Sequence, residues 1–426
     1  MPSVAVRNFG CRANQAEAFA WVDELRGRGL AVGTDWGRSD VVLVHSCTLT
    51  SRADRDVRKL IRRVGRERPG AAVVVSGCYA ERAPGELRAL GNVAAVLPRS
   101  AGSRVAETVA GIAAGPGGAH PVRVPVRGEE AVGPSFRARA YLKVQDGCDN
   151  RCAFCVIPRL RGRSSSVPPG EAAASARGLA ARGFREIVLA GIHLASYGRD
   201  LEPRRSLAGL LREVGEAASP ARLRLSSLDP NLVDAGLAAR LAGDGRVCPH
   251  FHLSLQHASE RVLRAMGRAG GPPSYGHVLG ELRRLAPDAA LGADVIVGFP
   301  GETDSDFEEL RAFVEASELT YVHVFPFSPR PGTPAWGRPR AAAAVVTARA
   351  EALRALSAAK DFRFRGRFAG RTLEAVVIGE AGGDVEVLTA NGIRVAVPGP
   401  AAQRRESVRV RVGRVLPERT EGEVAA

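Results

Sequence analysis

Chemistry is most concentrated in the run Cys148-Asp149-Asn150-Arg151-Cys152-Ala153-Phe154-Cys155. Three thiolates on one tight loop can hold three irons of a 4Fe–4S cube and leave the fourth without a protein ligand. An open coordination position of that kind is where a catalytic metal centre binds its substrate. A zinc knuckle is the alternative for such spacing. It needs a fourth Cys or His, and none lies nearby at matching spacing.

Three further cysteines, Cys11, Cys47 and Cys78, stand singly, each at the end of an apolar run: VAVRNFGC, DVVLVHSC and AAVVVSGC. Free cysteine is often a small buried hydrophobe, so one of these alone carries little. Three at equivalent ends of consecutive runs read as a second ligand set. The seventh cysteine, Cys248, belongs to neither set and reads as packing. Disulfides are rare in the cytosol, so clustered thiols there are ligands or catalysts.

The elements that must position these residues follow from pattern. Residues 1–115 repeat an apolar β-branched run followed by a helical stretch three times, as in RANQAEAFAWVDELRG and TLTSRADRDVRKLIRRV. That order predicts a parallel βαβ sheet, whose sites form at the carboxyl ends of its strands. The Gly/Pro-rich stretch AAGPGGAHPVRVPVRGEEAVGPSF reads as a linker, placed at 116–137. Six strand candidates follow (138–145, 186–191, 222–228, 251–256, 293–299 and 321–327), separated by helical stretches. Strand and helix alternating six times predict an incomplete (β/α)6 barrel over 138–360, with functional groups at the strand ends. From 363 to 426 the strands are short and alternating, as in a small antiparallel barrel. In SVRVRVGRV the valines Val408, Val410 and Val412 take one face, and Arg409, Arg411 and Arg414 should project from the other.

Net charge is +15, which favours a polyanionic partner such as nucleic acid. Lysine occurs only at Lys59, Lys143 and Lys360, so part of the arginine excess reflects GC-rich coding. No apolar run approaches the ~20 residues that span a bilayer. The N-terminus has no signal-peptide pattern, so a cytoplasmic protein is expected, with no membrane partner.

At this point a family resemblance covers nearly the whole chain. FGCRANQAEA, SCTLTSRAD, GCYAE, QDGCDNRCAFCVIPRLRGRSSS, EIVLAGIHLASYG, RLSSLDP, HLSLQ, DVIVGFPGET and FPFSPRPGTPA all resemble the radical S-adenosylmethionine (SAM) methylthiotransferase family. The resemblance implies an N-terminal cluster domain, a radical SAM core and a C-terminal TRAM domain. It makes Cys11, Cys47 and Cys78 the ligands of one 4Fe–4S cluster, and Cys148, Cys152 and Cys155 the ligands of the SAM-binding one. It implies that SAM is chelated at the open iron and cleaved on reduction to a 5′-deoxyadenosyl radical. Gly191, His193, Tyr197 and Gly298 are the candidates for contact with SAM.

VRNFGCRANQAEA and LAGIHLASYG resemble the branch acting at C2 of N6-threonylcarbamoyladenosine at tRNA position 37. The branches acting on N6-isopentenyladenosine in tRNA and on a ribosomal-protein aspartate are the alternatives, and a non-enzymatic RNA-binding protein with structural metal sites is the third class. The implied partners are tRNA, a reductant such as flavodoxin or ferredoxin, and a sulfur source, with the enzyme a monomer. Arg161 and Arg163 in RLRGRSSS are candidates for phosphate contact. One departure stands out: where the family reads SLQSGS, this chain has SLQHAS, with His257-Ala258 in place of Ser-Gly.

Overall fold

The computed structural model describes residues 2–115, 138–399 and 406–425. The linker expected at 116–137 lies outside the described residues. The chain divides into two compact units. Among the described residues, the first comprises 2–115 with Val156–Gly162, and the second Ala138–Cys155 with the residues from Arg163 onward.

In the first unit five parallel strands, β1 (Ser3–Asn8), β2 (Ala31–Gly33), β3 (Val41–Ser46), β4 (Ala72–Gly77) and β5 (Val93–Val96), lie in the order β2-β1-β3-β4-β5. The runs of valine that flag these strands are buried on both faces. Trp21, Leu25, Val105 and Val109 pack one side, and Val57, Ile61, Val64 and Leu87 the other. A fully covered parallel sheet leaves its strand ends as the open ground for chemistry.

In the second unit six parallel strands run in the order β6 (Ala140–Lys143), β9 (Glu186–Ala190), β10 (Arg222–Leu225), β11 (His250–Gln256), β12 (Ala290–Val297) and β13 (Tyr321–Pro326), with single bridges joining β10 to β11. Among the described residues β6 does not pair with β13, so the arc stays open, as an incomplete barrel requires. The short strands β7 (Gln145–Asp146) and β8 (Ser165–Ser166) pair beside the cysteine loop.

The last helix, Ala343–Gly366, feeds Phe364 into the core of a closed barrel, and Phe368 just after the helix joins it there. That barrel comprises β14 (Thr372–Ala381), β15 (Asp384–Thr389), β16 (Arg394–Val397), β17 (Ser407–Val415) and β18 (Thr420–Val424), in the order β14-β15-β16-β18-β17. Its form is consistent with a TRAM domain.

The barrel is pinned to the six-stranded arc by a buried cation. Arg224 donates to Glu186 at 2.7 and 2.9 Å and to the Thr389 carbonyl at 3.1 Å. Burial alone would raise the Glu186 carboxyl; the Arg224 charge and hydrogen bonds outweigh it and hold the group down at about 2. Breaking such a buried pair from one side typically costs about 3–5 kcal/mol. Cys248 packs here as expected, fully buried with its thiol 3.6 Å from Glu186. Among the described residues, no helix is long and apolar enough to cross a membrane.

Candidate functional site

Cys11, Cys47 and Cys78 follow the carboxyl ends of β1, β3 and β4, three strands adjacent in the sheet. Cys11 precedes the helix Arg12–Gly27, and Cys78 opens the short helix Cys78–Arg82. Gly77 turns the chain between β4 and Cys78 at φ 101, and a Cβ there would collide with the Ser46 backbone and the His45 ring. Only glycine meets both conditions.

Burial first, and then the neighbouring Cys11 and Cys78, push the Cys47 thiol up to about 12. Burial likewise raises Cys78, partly offset by Arg161. Buried thiols facing one another in this way are costly as thiolates unless a cation offsets their charge, which is what an iron–sulfur cluster supplies.

Arg161, a candidate for phosphate contact from its sequence, is instead buried in this unit. It hydrogen-bonds the Cys78 thiol, donates to Asn14 Oδ1 at 2.8 Å, and pairs with Glu17 at 3.0 Å. Asn14 also accepts from the Cys11 thiol at 3.2 Å and donates to the Ser46 carbonyl at 3.1 Å. His45 completes the group, 3.0 Å from Glu17. Arg163, by contrast, is exposed and only loosely paired with Asp149 at 3.6 Å.

In the second unit the loop bearing Cys148, Cys152 and Cys155 is held by its main chain. Ala153 N–H donates to the Met266 carbonyl at 2.8 Å, and the Ala153 carbonyl accepts from Ala335 at 2.8 Å. Ala153 and Phe154 anchor it in an apolar cluster with Met266, Ile296 and Phe299. Two cations address its sulfurs. His193 hydrogen-bonds the Cys148 thiol, and Arg268 Nη1 lies 3.9 Å from Cys152 Sγ. Asp229 holds both, 3.2 Å from His193 Nε2 and 3.2 Å from Arg268. Burial would lower His193, but its bonds to Asp229 and Cys148 outweigh burial and carry it up to about 9. Burial would raise Asp229, but His193 and Arg268 hold it down at about 2.

Among the described residues the only three His, Cys, Asp or Glu side chains with donor atoms all within 4.8 Å of one another are His252, Asp294 and His323.

Residues 3–98 match the family described as Uncharacterized protein family UPF0004, and residues 142–314 match the Radical SAM superfamily. The chain is 36% identical to the threonylcarbamoyladenosine tRNA methylthiotransferase MtaB of Thermotoga maritima, over 79% of this chain and 77% of that protein. It is 33% identical to the protein of the same name from Aquifex aeolicus, over 88% and 93%. The chain belongs to the radical SAM methylthiotransferase family. The ribosomal protein uS12 methylthiotransferase RimO of a Synechococcus species is 35% identical to it, over 88% and 78%. In fold, this methylthiotransferase is similar to the radical SAM methyltransferase TsrM of Kitasatospora setae, solved with cobalamin and a [4Fe-4S] cluster, with a TM-score of 0.54, 17% identity and coverage of 79% and 77%. The match to the Radical SAM superfamily makes an iron–sulfur cluster and SAM part of its chemistry.

The structure sorts the other candidates of this methylthiotransferase. Gly191 and His193 lie on the loop after β9, beside the cysteine run. Gly191 N–H donates to Ser226 Oγ at 3.1 Å, and His193 N–H to Gln145 Oε1 at 2.7 Å. Tyr197 is 1% exposed and its hydroxyl donates to the Val167 carbonyl at 2.6 Å, so the ring is turned into the fold. Gly298 sits at φ 74 with its amide donated to its own loop's Glu302 at 2.6 Å, and the space of a Cβ is filled by Val346.

His257, the departure from the family pattern, is fully buried. Its Nδ1 accepts from Ser259 N–H at 2.9 Å, and burial drives it down to about 4, so it packs as a neutral ring. Arg409, Arg411 and Arg414 are exposed on β17, while Val410 and Val412 are buried. Sequence reasoning missed Gln145, Asp229 and Arg268; the RLSSLDP motif was the available signal for Asp229.

Proposed function

We propose that this methylthiotransferase places a methylthio group on C2 of N6-threonylcarbamoyladenosine at position 37 of tRNA, in the cytoplasm, with two [4Fe-4S] clusters. The observation that carries the mechanism is the pair of separate cysteine sets, one at three adjacent strand ends and one on a single loop. Cys11, Cys47 and Cys78 hold the first cluster; Cys148, Cys152 and Cys155 hold the second. The division into a cluster domain (1–115), a radical SAM core (138–360) and a TRAM domain (363–426) goes with this reading, as do an external reductant and a sulfur source.

When bound, the second cluster with SAM supplies a 5′-deoxyadenosyl radical. The chain's own part is placement. Asp229 orients His193 and Arg268 against the sulfurs of the cysteine loop, and Gly191 and His193 are positioned to meet the methionine end of SAM. Tyr197 and Gly298 act through packing. Arg161, Asn14 and Glu17 hold the first set in position from behind.

The substrate assignment is supported by the relatives named for threonylcarbamoyladenosine in tRNA, at 32–36% identity. The relatives named for ribosomal protein uS12, at 34–36%, favour a protein aspartate as the second reading. Mass spectrometry of tRNA nucleosides and of ribosomal protein uS12 from cells with and without this protein tests both. Methylthiolated threonylcarbamoyladenosine should appear only with the protein. Its absence, together with a methylthiolated aspartate or isopentenyladenosine, would overturn the assignment.

The barrel arginines offer phosphate contacts. Arg411 lies 3.8 Å from Glu423, and Arg414 hydrogen-bonds Glu421 at 3.2 Å; both arginines are exposed, so RNA phosphate can compete for them. Replacing Arg409, Arg411 and Arg414 together by glutamine should weaken tRNA binding. It should also flatten its salt dependence by roughly one unit of log–log slope per lost contact. An unchanged affinity and slope in a variant with an unchanged melting curve would show that these arginines only solvate the barrel.

A further inference from the structure

A third cluster of ligand side chains lies away from both cysteine sets. His252 on β11, Asp294 on β12 and His323 on β13 sit on three adjacent parallel strands, with Asp294 registered opposite His323 and His252 opposite Gly292. Residues paired across a parallel ladder point to the same face, so the three side chains share one side of the sheet. Gly292 makes the grouping possible, because a Cβ there would strike the Tyr321 ring. His252 Nε2 is 2.8 Å and His323 Nδ1 3.3 Å from the same Asp294 oxygen, and all the donor atoms lie within 4.8 Å of one another.

Two features separate this group from an ordinary ion pair. In a chain with 60 lysines and arginines, Asp294 has no Lys or Arg ion-pair partner among the described residues; its partners are the two imidazoles. The buried carboxylates Glu186, Asp229, Glu302 and Asp306 are each paired with arginine. His252 is also supported from behind: its Nδ1 lies 3.0 Å from Tyr321 Oη, which in turn lies 2.9 Å from His250 Nε2. A partner on the far ring nitrogen fixes the tautomer and aims Nε2, as it does behind histidines that bind metals.

We propose that His252 Nε2, Asp294 and His323 Nδ1 form a site for one divalent transition-metal ion of the zinc class. Two neutral imidazoles and a carboxylate are a donor set such ions prefer, and it differs in kind from the thiolates that hold iron–sulfur clusters. Tyr321 Oη accepts from His252 Nδ1–H in the metal-bound tautomer. His252 is 2% and His323 54% exposed, so the ion has a buried anchor, a route in and open positions for a ligand with oxygen or nitrogen donors. The site lies wholly within the second unit and is independent of the substrate assignment.

The test uses the full-length protein reconstituted with its iron, with zinc chloride as the probe. After equilibration and desalting, elemental analysis should find about one zinc per chain beyond the iron. X-ray absorption at the zinc edge should show only nitrogen and oxygen neighbours at about 2.0–2.1 Å. His323→Gln, at the exposed end, should weaken zinc binding at least tenfold while leaving iron content and melting curve unchanged, and Asp294→Asn should abolish it. No retained zinc, a sulfur shell at about 2.3 Å, or wild-type zinc affinity in His323→Gln would overturn the proposal and leave the group a hydrogen-bonded His–Asp–His relay.

Discussion

Replacing Cys148, Cys152 and Cys155 together by alanine should reduce SAM cleavage to background and lower the iron content from about eight to about four per chain. Cleavage needs electron delivery to SAM held at an open iron, and no other group in the second unit offers three thiolates on one loop. His193, Arg268 and Asp229 would remain, but with the three thiolates gone the loop keeps no ligand set for a 4Fe–4S cube. The fold should survive, since main-chain bonds from Ala153 to Met266 and Ala335 and the apolar contacts of Ala153 and Phe154 hold the loop. Iron analysis and quantification of 5′-deoxyadenosine read the two effects separately. Loss of all the iron, or of none, would show that the two-cluster assignment is wrong.

Replacing Cys11, Cys47 and Cys78 together by alanine should have the opposite pattern. The variant should keep about half of its iron and still cleave SAM, because the loop of the SAM-binding set belongs to the other compact unit. It should form no methylthio product. Cys47 and Cys78 are buried, so their truncation is also a packing change, of order 1 kcal/mol for each small side chain. The melting curve therefore has to accompany the assay. A folded triple variant that forms product at the wild-type rate would remove the first set from the mechanism. A folded variant that no longer cleaves SAM would show that the sets do not act separately.

The cysteine positions show how far a sequence can reach. A β-branched run ending in Gly-Cys or Ser-Cys reports a buried parallel strand and the residue just past it, because burial on both faces and the turn that follows are local properties. The three strand ends of the first set, the six parallel strands and the valine–arginine alternation of β17 were legible for that reason. The strand β18, Thr-Glu-Gly-Glu-Val, was not. It carries almost no apolar signal, and it closes the barrel through main-chain pairing with β16 and β17.

The side-chain environments needed the tertiary structure. Arg161 reads as a candidate for phosphate contact, yet folding carries it to Asn14, Glu17 and Cys78, where an arginine is tolerable only because buried carboxylate and amide oxygens receive it. Tyr197 reads as a site residue and is instead turned inward onto a backbone carbonyl. His252, Asp294 and His323 lie far apart in sequence on three separate strands, and nothing local links them. Strand order and register put them on one face of the sheet. By itself the sequence determined which residues stand at strand ends and which thiols could act as sets, because those are matters of period and type. Which charged and imidazole side chains meet one another was decided only by the packing of distant strands.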